Sequence, residues 1–97
     1  MSERPPSLKA DQRTPLGLVV RGFRGHIEAI HVAEGAHGLG AAELEQRLLE
    51  LGFVEGAEVE VLHEGPLGRD PIAVRVNDTT IALRRREAMA ILVEASP

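Results

Sequence analysis

Residues 72–83 read IAVRVNDTTIAL, and this stretch carries the clearest structural signal in the chain. Apolar side chains recur at alternate positions on both sides of Asn77-Asp78, which is the period of a half-buried β-strand. Asparagine and aspartate tolerate a left-handed backbone better than most residues and are common in tight turns. The stretch therefore predicts a β-hairpin and, with it, a mainly β fold.

Further strand patterns lie on either side of this hairpin. Valines alternate with glutamates over residues 58–62, and residues 26–32 alternate with a period near two. After the hairpin, residues 85–90 predict a single helical turn, and residues 91–93 predict a closing strand. We expect five or six short strands that close into a small β-barrel, because closure removes exposed strand edges.

One segment has a helical period instead. Apolar residues recur on one face of residues 41–51, which predicts an α-helix packed against the strands. Gly52 stands where a helix often ends in the left-handed region, and Phe53 directly after it can fold back on Leu48.

Length and composition restrict the function. The chain has 97 residues, a net charge of −4, two aromatic residues and no cysteine. One domain fits this length, and we place it at residues 16–95 after a polar, flexible N-terminal arm of residues 1–15. The missing cysteines exclude disulfide scaffolds and thiolate metal sites. The acidic charge and the scarcity of aromatics argue against a nucleic-acid partner.

The expected compartment and the absence of catalysis follow from what the sequence lacks. No apolar run approaches the roughly 18 residues that span a bilayer, and the first residues lack the apolar core of a signal peptide. We therefore expect a cytoplasmic protein. We expect no enzyme, because no nucleophile or phosphate-binding glycine loop accompanies the carboxylates.

Several short motifs together carry a family resemblance. They are Gly22-Phe23, residues 47–53 with Gly56, Pro66-Leu67-Gly68, Asp70-Pro71-Ile72, residues 81–84 and Glu87-Ala88. In this order and spacing they make residues 16–94 resemble FeoA, the small cytosolic protein of bacterial ferrous iron uptake. Two departures are Glu55, where the family usually has proline, and Arg69, which lengthens the loop between Gly68 and Asp70.

The resemblance implies a small SH3-like β-barrel of five to six strands, with one inserted α-helix and a short helical turn before the last strand. It also implies an accessory role: binding and modulating FeoB, a membrane permease with a cytosolic GTPase region, and reaching the membrane only through that partner. The domain also resembles the C-terminal module of iron-dependent repressors, which leaves a metal-sensing regulatory domain as the alternative. A homodimer stays open as well.

Two sets of candidate site residues follow. No cofactor is required, but if iron(II) or zinc binds, we expect His31, Glu34 and His37 as ligands, because they lie close together in one loop region and offer nitrogen and oxygen donors. The partner surface combines apolar residues of the helix end and of the Pro/Gly loop with a run of arginines. Its predicted members are Leu49, Phe53, Val54, Leu67, Arg84, Arg85 and Arg86.

Overall fold

The alternating segments of the sequence form the strands of a computed structural model that describes residues 13–32 and 40–96. The hairpin, the helix and the single helical turn all form where the sequence predicts them. In chain order the elements are β1 (Thr14–Pro15), a 3-10 helix (Leu16–Leu18), β2 (Arg24–Ile30), α1 (Ala41–Glu50), β3 (Glu58–Glu64), β4 (Ile72–Val76), β5 (Thr79–Leu83), α2 (Arg85–Ala88) and β6 (Ile91–Ala95).

The strands form one antiparallel sheet in the order β1-β6-β2-β3-β4-β5. The mainly β class is confirmed. Among the described residues, however, no ladder joins the edge strands β1 and β5, so the sheet is open, whereas we expected a closed barrel. The reason lies at the first strand. Its backbone turns into the 3-10 helix directly after Pro15, which leaves β1 two residues long and paired only with β6.

The start of the domain differs from the sequence prediction in one detail. Thr14 and Pro15, which the sequence placed in the flexible arm, pair with Val93 and Leu92 of β6. Residues 1–12 of that predicted arm lie outside the described residues. The division into arm and domain therefore stays a prediction.

The core lies between the sheet and α1. Ile72, Val74 and Val76 of the hairpin are at most 2% exposed, as their alternation predicts. Burial of each large apolar side chain contributes about 1.5–3 kcal/mol relative to exposure. The other large core residues are Leu16, Ile27, Leu44, Leu48, Phe53, Val59, Val61, Leu83, Ile91 and Val93.

The end of α1 fixes one of the two aromatic residues. Gly52 has a φ of 103°, in the left-handed region, and its N–H donates to the carbonyl oxygen of Leu49 at 3.0 Å. The N–H of Phe53 donates to the carbonyl oxygen of Leu48 at 3.0 Å. These two bonds form the predicted Schellman motif, and they turn Phe53 into the core beside the helix that it terminates.

Arg85, the first residue of α2, joins separate parts of the chain. Its Nη1 donates to the carbonyl oxygens of Gly17 and Val19 at 3.0 and 2.7 Å. Its Nε donates to the carbonyl oxygen of Arg69 at 2.8 Å, and its Nη2 donates to Glu64 Oε2 at 2.8 Å. The Arg85 and Glu64 side chains are each only 19% exposed, so water competes little for these charge-assisted bonds.

Backbone contacts complete this junction. The Arg85 N–H donates to Asp70 Oδ1 at 2.9 Å, and the Arg21 N–H donates to Glu64 Oε2 at 3.2 Å. A β-carbon added to Gly17 would lie 2.4 Å from the carbonyl oxygen of Arg85. Glycine is therefore required where the 3-10 helix crosses α2. We call Arg85, Glu64 and Asp70, with the backbone groups that they bind, the Arg85 junction.

We expect Arg85→Ala to lower the free energy of unfolding by about 2–4 kcal/mol, because it leaves the Glu64 carboxylate and several carbonyl oxygens without their donor. Arg85→Lys should lose most of the same stability, since an ammonium cannot reproduce the planar fork of donors. Urea unfolding followed by circular dichroism measures both changes.

The matched control is Arg86→Ala, which removes an exposed arginine next along the chain and should change stability by no more than about 0.5 kcal/mol. Equal losses for Arg85→Ala and Arg86→Ala would show that the junction does not stabilise the fold.

Candidate functional site

Three of the predicted partner residues are exposed apolar side chains. Leu49 and Val54, at the end of α1 and just after it, are 40% and 41% exposed, and Leu67 in the loop between β3 and β4 is 83% exposed. Arg84 and Arg86 are exposed on either side of the Arg85 junction. The structure thus leaves these five side chains available for contact.

The other two predicted partner residues take part in the fold. Phe53 has no exposed surface, because the Schellman motif directs it into the core. Arg85 has its guanidinium bonded to groups of its own chain. A contact surface in this conformation therefore consists of their exposed neighbours rather than of Phe53 and Arg85 themselves.

Three exposed apolar residues near the Arg85 junction were not predicted. Leu18 and Val20 are 63% and 53% exposed, and they flank Val19, whose carbonyl oxygen Arg85 binds. Met89 is partly exposed, and its sulfur would lie 2.8 Å from a β-carbon on Gly17, so it sits against the 3-10 helix. We group them with Leu67, whose loop Arg85 also bonds at the carbonyl oxygen of Arg69, and call the set the apolar surface: Leu18, Val20, Leu67 and Met89.

The 3-10 helix explains why the sequence did not indicate Leu18 and Val20. Read as a strand, positions 16, 18 and 20 would share one face of the sheet. In the structure Leu16 and Val19 are buried instead, three residues apart, which is the period of a 3-10 helix. Leu18 and Val20 are consequently turned outward.

The predicted metal ligands fall largely outside the described residues. Glu34 and His37 lie there, and only His31 can be placed: it is exposed after β2, and its N–H donates to the carbonyl oxygen of Ala90 at 2.7 Å. The ligand set of His31, Glu34 and His37 therefore stays a prediction.

A different group of metal-ligating side chains meets across β2 and β6. His26 pairs directly with Glu94 in the sheet, and Glu28 follows His26 on the same strand at a β-bulge. His26 Nε2 lies 2.7 Å from Glu28 Oε2 and 3.5 Å from Glu94 Oε1. All three side chains are partly buried, and their ligand atoms lie within 4.8 Å of one another. We call this group the His–Glu cluster.

The electrostatics of the His–Glu cluster favour an ionised Glu28. Its hydrogen bond with His26, and secondly its hydrogen bond with Glu94, lower the pKa of the Glu28 carboxyl below the ordinary value of 4.5. The carboxyl groups of Glu28 and Glu94 thus lie on the same imidazole nitrogen of His26.

One cavity of about 330 Å³ opens beside the start of β2. Arg24 and Arg75 line it, and Arg75 Nη2 donates to Glu60 Oε1 at 2.6 Å. Glu60 pairs in register with both arginines across three adjacent strands. The groups on this wall form a cross-strand charge ladder, an arrangement that stabilises a sheet surface.

A pH-dependent contribution of Glu28 to stability follows from its lowered pKa. The folded state binds the Glu28 proton more weakly than the unfolded chain does, so the stabilisation is present above about pH 4.5 and is lost as the pH falls through the lowered value. Glu28→Gln should therefore destabilise the protein at neutral pH and much less near pH 3.

Thermal melts of wild type and Glu28→Gln across this pH range measure the difference, with Glu45→Gln on the exposed side of α1 as control. If the melting temperature of wild type exceeds that of Glu28→Gln by the same amount at neutral pH and near pH 3, the assigned role of Glu28 is wrong.

Within residues 13–32 and 40–96, every helix falls short of the length and apolar character that crossing a bilayer requires.

Comparison with known proteins gives a family and a set of relatives. The sequence model of the FeoA domain matches residues 14–95. A Porphyromonas gingivalis protein described as a fusion of Fe(2+) transport protein A with the Fe(2+) transporter FeoB is 42% identical over 55 residues. That alignment includes 57% of this chain and 6% of the fusion protein, so this chain spans a small part of that relative's length.

Solved structures share the fold. The zinc complex of Stenotrophomonas maltophilia FeoA, described as a prokaryotic SH3 domain protein, is 32% identical with a TM-score of 0.66, over 81% of this chain and 87% of that one. A manganese-dependent transcriptional repressor has a TM-score of 0.72 at 19% identity, over 96% of this chain and 38% of its own, a likeness of fold alone. The fold is therefore SH3-like, and the chain belongs to the FeoA domain family.

Proposed function

We propose that this chain is a non-catalytic accessory protein of ferrous iron transport, which acts in the cytoplasm by binding the cytosolic region of a FeoB permease and modulating it. The observation that carries the proposal is the apolar surface, which is fixed in place by the Arg85 junction on a small domain. Membership of the FeoA family and the fused relative support FeoB as the partner.

The fused relative supports the choice of partner. Its name joins a FeoA part and a FeoB part in one polypeptide. Two parts joined by a linker experience each other at an effective concentration that commonly reaches millimolar, so even weak contact between them becomes populated.

The apolar surface has the composition of a contact region. Leu67 and Leu18 expose most of their side chains, and Arg85 bonds backbone carbonyl oxygens close to both in the chain. Groups of exposed apolar side chains on small soluble domains mark sites of association. Arg84 and Arg86 are exposed on either side of Arg85 in the chain, and we assign them to the charged rim that surrounds the apolar centre of many interfaces. An acidic patch on the partner would complement this rim.

The Arg85 junction reduces the cost of binding. It bonds the carbonyl oxygens on both sides of Leu18 and the Arg69 carbonyl in the loop that carries Leu67. Segments that are already ordered lose little conformational entropy when a partner covers them. A partner therefore meets a surface that needs little rearrangement, which is typical of preorganised interfaces.

A second candidate function, a metal-sensing regulatory domain, is favoured by the His–Glu cluster. It differs from the first in its requirement: regulation by metal needs saturable metal binding that changes affinity for a partner. Binding to FeoB that is the same with and without added iron(II) would remove the sensing function and leave the accessory function intact.

We expect the wild-type chain to co-purify with the isolated cytosolic region of FeoB in at least one nucleotide state. Leu67→Ala and Leu18→Ala should each weaken the interaction about fivefold or more, because truncation at the centre of an interface commonly costs over about 1 kcal/mol. Surface plasmon resonance measures the affinities.

Thr80→Ala is the control, because it truncates an exposed side chain at the start of β5, beside the Asn77-Asp78 turn and at the opposite end of that strand from Arg85. It should change the affinity less than twofold. The proposal fails if wild type does not bind in any nucleotide state, with or without iron(II). Losses of affinity for Thr80→Ala as large as those for Leu67→Ala would place the contact away from the apolar surface.

A further inference from the structure

We propose that His26, Glu28 and Glu94 together bind one divalent transition-metal ion on the β2–β6 pair. The site differs from the ligands that the sequence suggested, which lie after β2. It does not rest on the proposed function, because binding of a metal by this chain requires no partner.

The sheet itself positions the three donors. His26 and Glu94 are opposite each other in the antiparallel ladder, where directly paired β-carbons lie about 4.5–5.5 Å apart. Glu28 lies two residues after His26, and alternate residues of a strand point to the same face. The adjacent register pair, Ile27 and Val93, is buried in the core, so the donors occupy the opposite face.

The β-bulge contributes to this arrangement. The register of β2 against β6 shifts between Ile27 and Ala29, which places Glu28 at the extra residue. Bulges bend a strand locally and redirect the side chain of the inserted residue. Here the Glu28 carboxylate ends 2.7 Å from the His26 imidazole, on the side that faces Glu94.

Two of the three distances between ligand atoms are close to those of a metal polyhedron, and all three atoms lie within 4.8 Å of one another. Zinc–nitrogen and zinc–oxygen bonds of about 2.0–2.2 Å place neighbouring ligand atoms about 3.0–3.5 Å apart. His26 Nε2 and Glu94 Oε1 are already 3.5 Å apart, and His26 Nε2 and Glu28 Oε2 are at 2.7 Å. Opening the shorter distance by a few tenths of an ångström needs only side-chain rotation.

The charge and chemistry of the donors favour a metal of a particular class. The two glutamates bring negative charge to the cluster, which a divalent ion neutralises. One nitrogen and two oxygen donors suit iron(II), manganese(II) or zinc better than magnesium or calcium, which prefer oxygen alone. Three protein ligands on a partly exposed face leave coordination positions to water.

Zinc titration of the full chain by calorimetry tests the site. Wild type should show saturable binding of one ion per chain. Loss of an outer-shell partner of a metal ligand typically lowers metal affinity roughly tenfold or more, and removal of a ligand itself should lower it at least as much. His26→Ala and Glu94→Gln should therefore each weaken zinc binding tenfold or more. Glu94→Gln keeps the shape of the side chain, and thermal melts without metal establish that both variants are folded.

The matched control is the double variant His31→Ala, His37→Ala, which removes the histidines suggested by sequence and should keep zinc affinity within about twofold. Paramagnetic broadening by manganese(II) gives a second readout: the amides of β2 and β6 around residues 26–28 and 94 should broaden first. If wild type shows no saturable zinc binding, the His–Glu cluster is an ion-pair network and the proposed metal site is wrong.

Unchanged binding in folded His26→Ala or Glu94→Gln would equally overturn the proposal, as would loss of binding in the His31→Ala, His37→Ala variant. These outcomes are separate from FeoB binding. A chain that binds zinc at the His–Glu cluster but does not bind FeoB contradicts the accessory function alone. A chain that binds FeoB but not zinc contradicts the metal site, and with it the metal-sensing alternative, and leaves the accessory function intact.

Discussion

One guanidinium holds together parts of this molecule that the sheet does not. The ladder ends at β1 on one side and β5 on the other, and the 3-10 helix and the loop before β4 lie outside it. Arg85 bonds both of these segments and the end of β3 through its side chain, and its N–H bonds Asp70. In a domain of this size the apolar core is modest. A polar junction that is shielded from water therefore contributes a correspondingly large part of the tertiary stability.

The same junction explains why the candidate contact residues are where they are. Gly17 lies close against α2, within the 3-10 helix that follows Pro15. Leu16 and Val19 then face inward, and Leu18 and Val20 face outward. Leu18 and Val20 are thus exposed because of the 3-10 helix at this edge of the sheet. Arg85, which bonds this segment, is itself largely buried.

The sequence predicted the features that depend on neighbouring residues and missed those that depend on distant ones. The hairpin and the Schellman motif need only the residues from Ile72 to Leu83 and from Leu48 to Phe53, so local pattern was enough. Arg85 was predicted as one of a run of partner-binding arginines, because nothing nearby in sequence reveals that Gly17 and Glu64 meet it. The His–Glu cluster was missed for the same reason: it requires the register of β2 against β6.

The two proposed sites are connected through β6 in a way that limits how one can influence the other. Met89 of the apolar surface lies shortly before this strand, and Glu94 of the His–Glu cluster lies near its end. Hydrogen-bonded ladders on both sides of β6 fix its register, and a slip would move its buried residues out of the core. A metal at Glu94 would therefore alter local charge far more than the position of Met89. Any effect of metal on docking should then be electrostatic and salt-sensitive.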